Sequence, residues 1–372
     1  MFENVLGIRL LLLIGKTVPL PASVDVMNAL TRVEVSNDAQ SGDGFQMTFS
    51  LGKDTVLDYN LMLAGSLEPM KRVIVGVLFG AVPEVLIDGI ITHHQFQPSN
   101  EPGQSTLTVT GKDVSAMLDL KEKNAKFENQ PDFVIVTRLL LEYAQYGLVP
   151  QVTPTADVPI MIQRIPRQQE TDMRFIQRLA QRNGYVFYIE PLTLGVNTAY
   201  WGPENRLSLP QSALTMNMGP ATNLKSLSFA RDALAPVETE GSFVEPFTKM
   251  SLPIPSLPSL RVPPLALSPD QPQRKILQRE TAGQSPVTAA TTALASVTNS
   301  PVSVTGTGEI DTLRYGSVLR ARKPVGVRGV GFNYDGNYYV SRVTHTIERG
   351  KYEQRFSISR EGTGSLLPVV RV

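Results

Sequence analysis

The chain has 372 residues, no cysteine and a formal net charge of +1. Hydrophobic residues make up 42% of it and charged residues 19%, which is enough apolar side chain for the cores of two or three domains. The absence of cysteine excludes disulfide scaffolds, thiolate zinc sites and cysteine nucleophiles, and it fits a protein made in the cytoplasm. The balanced charge excludes a global field that would attract nucleic acid or an anionic membrane, so we expect no nucleic-acid specificity.

An apolar stretch near the N-terminus, Val5 to Gly15 (VLGIRLLLLIG), resembles the core of a signal peptide. Arg9 interrupts this stretch and Lys16 follows it at once. A membrane-spanning helix needs roughly 20 apolar residues, so we expect a buried β-strand here and no direct membrane insertion.

Residues 1–110 are rich in Val, Ile, Phe and Thr, in short runs separated by Gly, Pro, Asn and Asp. The predicted strands are Gly44–Leu51, Lys71–Gly80, Glu84–Phe96 and Ser105–Gly111. Several short strands at this spacing predict a β-barrel or a sandwich as the first domain.

Residues 111–213 have a mixed pattern that predicts a small α+β domain. Asp113 is a plausible N-cap for VSAMLDL, and Asp132 is a plausible N-cap for a helix that ends at Gly147. In this second helix the apolar residues at helical spacing are Val136, Leu139, Leu140 and Tyr143.

The segment Gln168–Glu190 predicts a short capped helix that leads directly into a strand. Thr171 or Asp172 caps the helix, and Asn183-Gly184 ends it with a left-handed residue. The apolar stripe consists of Phe175, Ile176, Leu179 and Ala180. The strand that follows is YVFYIE.

From Leu214 the pattern returns to strands, which predicts a second β domain over residues 214–372. Asn223–Ala230 alternates imperfectly, and Phe332–Ser359 predicts a hairpin with Asp335-Gly336 as its turn. Period-two counting places Tyr339, Val343 and Ile347 on one face, and Tyr352, Phe356 and Ile358 on one face of the next strand.

A proline-rich arm, at about residues 246–308, interrupts this domain. Its first part is crowded with proline up to Pro272, and small and polar residues follow up to Gly308. On its own, such a composition predicts an extended and mobile segment. We expect a neighbouring protomer or another component to hold it.

Few residues suggest catalysis, and no catalytic, cofactor-binding or metal-binding residue is assigned. His93 and His94 are adjacent on a predicted strand and point to opposite faces, and His345 lies on another strand. The spacing GVRGVG, Gly326–Gly331, leads into a strand and a turn rather than the helix that a phosphate loop needs. Carboxylate pairs involving Glu68 or Asp88 leave a glycosidase site open, because sequence does not place them in space.

Two further clusters have a functional and a structural interpretation. Arg174, Arg178 and Arg182 recur every four residues and form either an anion-binding ridge or a solvated or interface side of the helix, which we favour. An aromatic cluster could stack nucleic-acid bases, but core packing and subunit contact explain it better because no basic cluster accompanies it. Its members are Tyr185, Phe187, Tyr188, Tyr200 and Trp201.

The helix-to-strand segment, followed by YWGPENR, resembles a segment of the baseplate hub proteins of contractile phage tails (the late control protein D family) and of the hub portion of VgrG spike proteins. The matching residues are Glu170, Thr171, Asp172, Phe175, Leu179, Ala180, Gly184, Tyr185 and Phe187. GNYYVSRVTHTI, Gly336–Ile347, is similar to a second pattern of these proteins. The N-terminal half most resembles the hub of phage-derived extracellular contractile injection systems.

The resemblance implies a β-rich α+β fold with two tail-tube-like β-barrels that flank the α+β domain, in a trimeric ring. Three copies would present six similar barrels to a sixfold inner tube while accepting a threefold spike. The implied partners are a separate trimeric spike protein, the inner tube or its initiator, baseplate wedge components, and a tape-measure protein or cargo. No enzyme activity and no cofactor are implied.

Two alternatives of other classes remain open from sequence. One is a tail-associated cell-wall hydrolase, and the other is a free-standing β-protein that binds a sugar or nucleic acid.

Overall fold

The computed structural model of the chain describes residues 8–52, 60–79, 82–101, 103–157, 159, 165–244, 249–254, 258–278 and 286–366. Some predicted segments therefore lie outside the described residues. These are residues 5–7 of the first predicted strand, Gly80, and residues 246–248, 255–257 and 279–285 of the proline-rich arm.

The described residues of the first part of the chain form seven strands and two short helices. The strands are β1 (Ile8–Gly15), β2 (Leu20–Pro21), β3 (Leu30–Asp38), β4 (Gly44–Leu51), β5 (Arg72–Phe79), β6 (Val82–Gln97) and β7 (Ser105–Asp113); the helices are α1 (Val24–Ala29) and α2 (Asn60–Leu63). All predicted strands of this region are confirmed. The first strand was predicted to be buried, but only its Leu12 is, because β1 lies near the edge of the sheet.

The middle part forms five strands and two helices. In chain order these are β8 (Glu122–Lys126), α3 (Asp132–Leu141), β9 (Leu148–Val152), β10 (Arg167–Thr171), α4 (Asp172–Asn183), β11 (Val186–Thr193) and β12 (Val196–Gly202). Thr171 caps α4 by accepting the amide of Arg174 at 3.4 Å, and Gly184 ends it with a left-handed φ of 67°, so both predictions are confirmed. Asp113 caps a short 3-10 helix, Val114–Asp119.

The prediction for α3 was wrong at both ends. Pro131 is the N-cap and Asp132 is already helical, because the Asp132 carboxylate is buried and binds Arg182 and Asn183 instead of its own helix. The helix ends at Leu141, and a separate 3-10 turn, Ala144–Tyr146, precedes the left-handed Gly147.

In the last part, the residues that the structure describes form twelve strands and two helices. In chain order these are β13 (Gln211–Thr215), β14 (Leu224–Arg231), β15 (Val237–Glu240), β16 (Ser242–Val244), β17 (Ser251–Pro253), β18 (Ala266–Pro269), β19 (Arg274–Leu277), α5 (Pro286–Thr298), β20 (Val304–Asp311), α6 (Thr312–Tyr315), β21 (Pro324–Arg328), β22 (Gly336–Glu348), β23 (Lys351–Arg360) and β24 (Gly362–Ser365).

The C-terminal hairpin exists, but its turn is not the predicted one. The tight turn between β22 and β23 is Arg349-Gly350, since Glu348 pairs with Lys351. Asp335 instead ends the longer connection from β21, and Gly336 begins β22. An irregularity between Val340 and Arg342 shifts the alternation of β22, so Tyr339 does not share a face with Val343 and Ile347 as predicted.

The prediction of an extended arm was wrong for residues 286–298, which form α5. Ala289, Ala293 and Ala295 of this helix are buried, and the helix packs on α4 of the same chain. Asn299 donates to the carbonyl of Gln181 at 3.0 Å, and the amide of Leu260 donates to Thr298 Oγ1 at 2.9 Å. Small residues permit this close helix contact, which composition alone did not reveal.

One sheet, antiparallel except for the parallel pair of β13 and β21, joins the first and last parts of the chain. Its strand order is β14-β20-β23-β22-β3-β4-β7-β6-β5-β1-β2, and β21 and β13 branch from β22. Residues 336–339 of β22 pair with β21, and residues 342–348 pair with β3. The two parts of the sheet therefore share β22 and β23.

Three main hydrophobic cores are present in the described residues. Core A includes Val33, Met47, Phe49, Val75, Leu86 and Val109; core B lies in the middle part and includes Ile135, Phe175, Ile176 and Trp201; core C includes Leu214, Val325, Tyr338, Val343 and Phe356. Ile347 and Tyr352 of the C-terminal hairpin belong to core A, whereas Val343 and Phe356 belong to core C. One hairpin thus supplies both sheet cores.

Candidate functional site

The three histidines are not brought together. His345 is fully buried with Nδ1 2.8 Å from the Tyr352 hydroxyl, and burial together with the positive charge of Arg320 lowers the pKa of His345 to about 3. His94 hydrogen-bonds through Nε2 to the carbonyl of Leu67, and His93 is exposed. Within the described ranges, no cluster of three or more His, Asp or Glu side chains could hold a metal ion.

The glycine spacing at Gly326–Gly331 lies in β21 and in the connection that follows it. That connection leads into β22 and not into a helix. The segment therefore lacks the helix N-terminus that binds phosphate in a glycine-rich loop.

The three arginines of α4 are paired with carboxylates of the same chain. Arg178 Nε lies 2.7 Å from Glu170, Arg182 binds Asp132, and Arg174 Nε lies 3.9 Å from Asp119. Each guanidinium thus has a carboxylate of the same chain nearby, which favours the solvated-side interpretation over an anion-binding ridge.

The aromatic cluster is largely core. Trp201 is fully buried and donates from Nε1 to the carbonyl of Ile176 at 3.2 Å, while Tyr185 contacts its ring edge-on at 4.8 Å between centroids. Tyr188 stacks on Tyr200 with centroids 5.0 Å apart. These contacts confirm the packing interpretation for Phe187 and Trp201, which both belong to core B.

A continuous polar face covers the side of the sheet opposite cores A and C. Residues that lie directly opposite in neighbouring strands share a face, and the register aligns Thr307 with Ser357, Thr344 with Ser36, and Thr48 with Thr108. This polar sheet face consists of Ser226, Ser228, Thr305, Thr307, Glu309, Glu353, Arg355, Ser357, Arg342, Thr344, Thr346, Glu348, Arg32, Glu34, Ser36, Gln46, Thr48, Thr106, Thr108 and Thr110.

The charges on the polar sheet face pair with one another. Arg355 lies 3.1 Å from Glu309, and Arg32 lies 2.9 Å from Glu34 and 3.1 Å from Glu348. Two further pairs join Arg342 to Asp38 and Lys351 to Glu353. The face is therefore hydrophilic and locally neutral, with no apolar patch that would bind a passing chain.

A buried arginine joins core A to core B. Arg72 of β5 makes a bidentate contact with Asp88 of β6, at 2.8 Å from Nε to Oδ1 and 2.6 Å from Nη2 to Oδ2. The same guanidinium donates to the carbonyl oxygens of Tyr146 at 2.8 Å and Gly195 at 3.2 Å, and Asn197 donates to Asp88 at 2.8 Å. Both charged side chains are almost fully buried, so this Arg72 junction fixes the middle part to the sheet.

A second buried arginine touches all three parts of the chain. Arg322, in the loop before β21, binds both carboxylate oxygens of Asp43 at the β3–β4 turn and donates to the carbonyl of Asp38 at 2.6 Å. Its guanidinium lies 4.3 Å from the ring centroid of Tyr188 in β11. Burial by itself lowers the pKa of Arg322, but Asp43 outweighs this and raises it, so the residue stays charged.

Asp113 lies beside this Arg322 junction, where β7 leads into the middle part. Its amide donates to the carbonyl of Asp43 at 3.1 Å, and its carboxylate accepts the amide of Ser115 at 3.0 Å. Burial and the nearby carboxylate of Asp43 raise the pKa of Asp113 to about 7.

Sequence reasoning missed the junctions and the polar sheet face. Polar residues (Ser, Thr and Gln) at every second position of β4, β7 and β20 could have predicted a polar face of the sheet. The junction residues have no local signal, because Arg72 and Arg322 meet partners that are distant in sequence.

Solved structures with similar folds come from phage tails and type VI secretion. A tail protein from Neisseria meningitidis superposes with a TM-score of 0.64 at 13% identity, covering 95% of this chain and 97% of that chain. The 43 kDa tail protein of prophage MuSo2 from Shewanella oneidensis gives 0.60 at 14% identity, covering 95% and 98%. A component of the Escherichia coli type VI secretion system, described as structurally similar to T4 tail proteins gp27 and gp5, gives 0.54 at 14% identity, covering 89% and 73%.

These similarities show that the chain has the fold of two phage-type tail proteins and of a type VI secretion component. No curated protein matches the sequence. No helix in the described ranges is both long and apolar enough to cross a membrane.

The family model described as the Alg8 N-terminal domain matches residues 21–210, just over half of the 372 residues. The chain therefore belongs to the Alg8 N-terminal domain family.

Proposed function

We propose that the protein is the structural baseplate hub of a contractile injection machine, with no enzymatic role. The observation that carries this proposal is the polar sheet face, which runs without interruption from β14 to β7 and is formed by both ends of the chain. A neutral hydrophilic surface of this extent suits the wall of a channel through which a polypeptide or tube component passes.

The proposed domains are residues 1–110 and 214–372 as two tube-like units and residues 111–213 as the α+β insert. Cores A and C support this division, with the C-terminal hairpin shared between the two units. Three chains would then present six similar units around one axis, so that one ring fits a sixfold inner tube and a threefold spike.

The proposed partners follow from this geometry. The inner tube or its initiator would stack on the six units, and a separate trimeric spike protein would dock on the opposite side. Baseplate wedge components would contact the outer surface, and a tape-measure protein or cargo would face the channel. The protein would thus be made in the cytoplasm and become part of an assembled tail-like particle.

The first test is the mass of the purified protein, alone and co-expressed with the neighbouring spike gene product. We expect three times the mass of the chain, measured by native mass spectrometry. A monomer in both preparations would contradict the hub.

The second test uses the absence of native cysteine. Single cysteines replace Thr108 and Thr307 on the polar sheet face, and Leu192→Cys, at a site 72% exposed in the middle part, is the control. In the trimer we expect a small maleimide to label all three, and a polymer-bound maleimide to label only the control. Equal labelling by the bulky reagent would exclude this face as a channel wall.

A further inference from the structure

Strand β19 of the arm forms a two-stranded ribbon with β15, which precedes the arm, and this ribbon is incomplete as a sheet. β15 and β19 pair in parallel, from Val237 with Arg274 to Glu240 with Leu277. Every residue of β19 is exposed, including Ile276 at 43% and Leu277 at 68%. An isolated pair of strands is marginally stable in water, and parallel pairing is slightly weaker still.

The second edge of β19 is open. In the described part of the chain, β19 pairs with no strand except β15. The amide of Gln278 donates to the carbonyl of Glu240 at 2.9 Å, which orients it toward β15. Because successive amides of a strand point to opposite sides, the amides of Lys275 and Leu277 point to the open edge.

Polar side-chain atoms of the ribbon and of the residue that follows it are buried without hydrogen-bond partners. Both side-chain polar atoms of Gln278 and the Oγ1 of Thr239 are buried and make no hydrogen bond. They line a cleft of about 630 Å³ between β19 and Thr292 and Ser296 of α5. Since buried polar groups are nearly always hydrogen-bonded in native proteins, these atoms point to a missing partner.

Little apolar contact supports the ribbon from within. The cluster beneath it consists of Ile254, Ala289 and Ala293. Arg274 carries the unpaired charge at this edge, because it is exposed and, among the described residues, has no carboxylate partner, whereas Lys275 pairs with Glu238 and Glu240. Arg274 and Leu277 point to opposite faces of β19, so an incoming strand that alternates acidic and apolar residues would place its acids beside Arg274 and its apolar side chains over Leu277.

We propose that the open edge of β19 binds an extended, acidic-apolar strand of another polypeptide by strand addition. The partner's backbone completes the ribbon, its acidic side chains face Arg274, and a polar group of the partner hydrogen-bonds Gln278. Main-chain hydrogen bonds supply most of the affinity in this mode, and the side-chain pattern supplies selectivity.

The experiment uses a fluorescent seven-residue peptide in which Glu alternates with Val, and a second peptide with Lys in place of Glu. Binding to the purified full-length protein is measured by fluorescence anisotropy. Leu277→Pro removes an amide at the open edge without removing a ribbon hydrogen bond. Leu277→Thr is the matched control that keeps the amide, and Arg274→Glu reverses the charge. Circular dichroism confirms that each variant is folded.

We expect the Glu–Val peptide to bind at least tenfold more tightly than the Lys–Val peptide. Leu277→Pro should weaken it at least tenfold, Leu277→Thr less than threefold, and Arg274→Glu should invert the preference between peptides. The proposal is overturned if neither peptide binds at millimolar concentration, or if Leu277→Pro binds like Leu277→Thr. If the free protein self-associates and Leu277→Pro abolishes this self-association, the edge binds a second copy of the chain. That result would overturn the proposed choice of partner.

Discussion

Asp113 and His345 are buried groups whose pKa values shift in ways that give opposite pH dependence. The pKa of Asp113 is raised to about 7 by burial and by Asp43, whereas that of His345 is lowered to about 3 by burial and by Arg320. Both residues are therefore neutral in the folded protein at mildly acidic pH. Their contributions to stability partly cancel between about pH 4 and 6.5.

We expect Asp113→Asn to change how the stability of the protein depends on pH between about pH 4 and 7. The unfolded chain releases the Asp113 proton near pH 4, and the folded chain holds it up to about pH 7, so wild-type stability falls as pH rises through this window. The variant lacks this fall, so its stability relative to wild type should rise by up to about 1.4 kcal/mol per pH unit between pH 4 and 7. Urea midpoints at a series of pH values measure it, and parallel profiles would refute it.

His345→Gln is expected to act in the opposite direction. The unfolded histidine gains a proton below about pH 6.5 and the buried one does not until about pH 3, so wild-type stability falls as pH decreases through this window. The variant has no such group, and its stability relative to wild type should improve as pH falls from 6.5 to 4. The same urea series tests this, and a constant difference between the two proteins would argue against it.

At the residue scale, sequence predicts features that depend on interactions between residues close together in the chain. Thr171 and Gly184 were identified correctly because a cap hydroxyl and a left-handed glycine act within one helical turn. Asp132 was assigned wrongly because its partners, Arg182 and Asn183, lie about fifty residues away. The raised pKa of Asp113 likewise depends on Asp43, which no local pattern connects to it.

At the scale of elements, the contact between α4 and α5 depends on small residues. Gly184 ends α4 beneath α5, and a Cβ there would lie 3.1 Å from Ala295 Cα and 3.3 Å from Thr298 Cβ. This glycine therefore serves two purposes, namely the left-handed backbone and the close approach of the arm helix.

Gly184→Ala should destabilise the protein more than Gly316→Ala does. Both glycines are left-handed helix caps, and an alanine in this conformation costs roughly 1–2 kcal/mol. Only Gly184 would also crowd α5, since nothing lies within 4 Å of a Cβ at Gly316. We expect an additional loss of about 1 kcal/mol or more from this overpacking, measured by denaturant unfolding. Equal losses of unfolding free energy in the two variants would show that α5 moves to accommodate the added methyl group without a cost in stability.

In the arm, composition predicted the wrong secondary structure for residues 286–298. The Ala- and Thr-rich run lacks a charged or strongly apolar stripe, so its helical state depends on docking against α4 and not on its own pattern. In contrast, the strands of the first part alternate clearly, and their positions were predicted well.

At the scale of the whole molecule, buried ion pairs hold the parts in register. Arg72 and Asp88 are 5% and 0% exposed, so removal of one partner leaves an uncompensated buried charge. The surface pair of Arg32 and Glu348, with 46% and 36% exposure, has no such penalty.

Arg72→Met should therefore cost about 3–5 kcal/mol of unfolding free energy, and Arg32→Met less than about 1 kcal/mol. Asp88→Asn added to Arg72→Met should recover part of the loss, because it removes the buried charge. Denaturant unfolding of the four proteins, wild type included, measures these differences. A small loss for Arg72→Met would mean that the junction does not hold the middle part in place.

Sequence predicted the β, α+β, β order of the chain but not the shared sheet. The pairing of β3 with β22 brings together residues more than 300 positions apart, and strand pattern does not specify such a partner. The arrangement as two tube-like barrels in a threefold ring stays a prediction for the mass measurement above.

The shared hairpin also determines when the protein can finish folding on the ribosome. β3 has an open edge until residues 342–348 of β22 emerge, more than 300 positions later in the chain. Core A likewise lacks Ile347 and Tyr352 during that time. During translation the N-terminal strands therefore keep an unpaired, exposed edge. We expect chaperones to bind these strands until β22 pairs with β3.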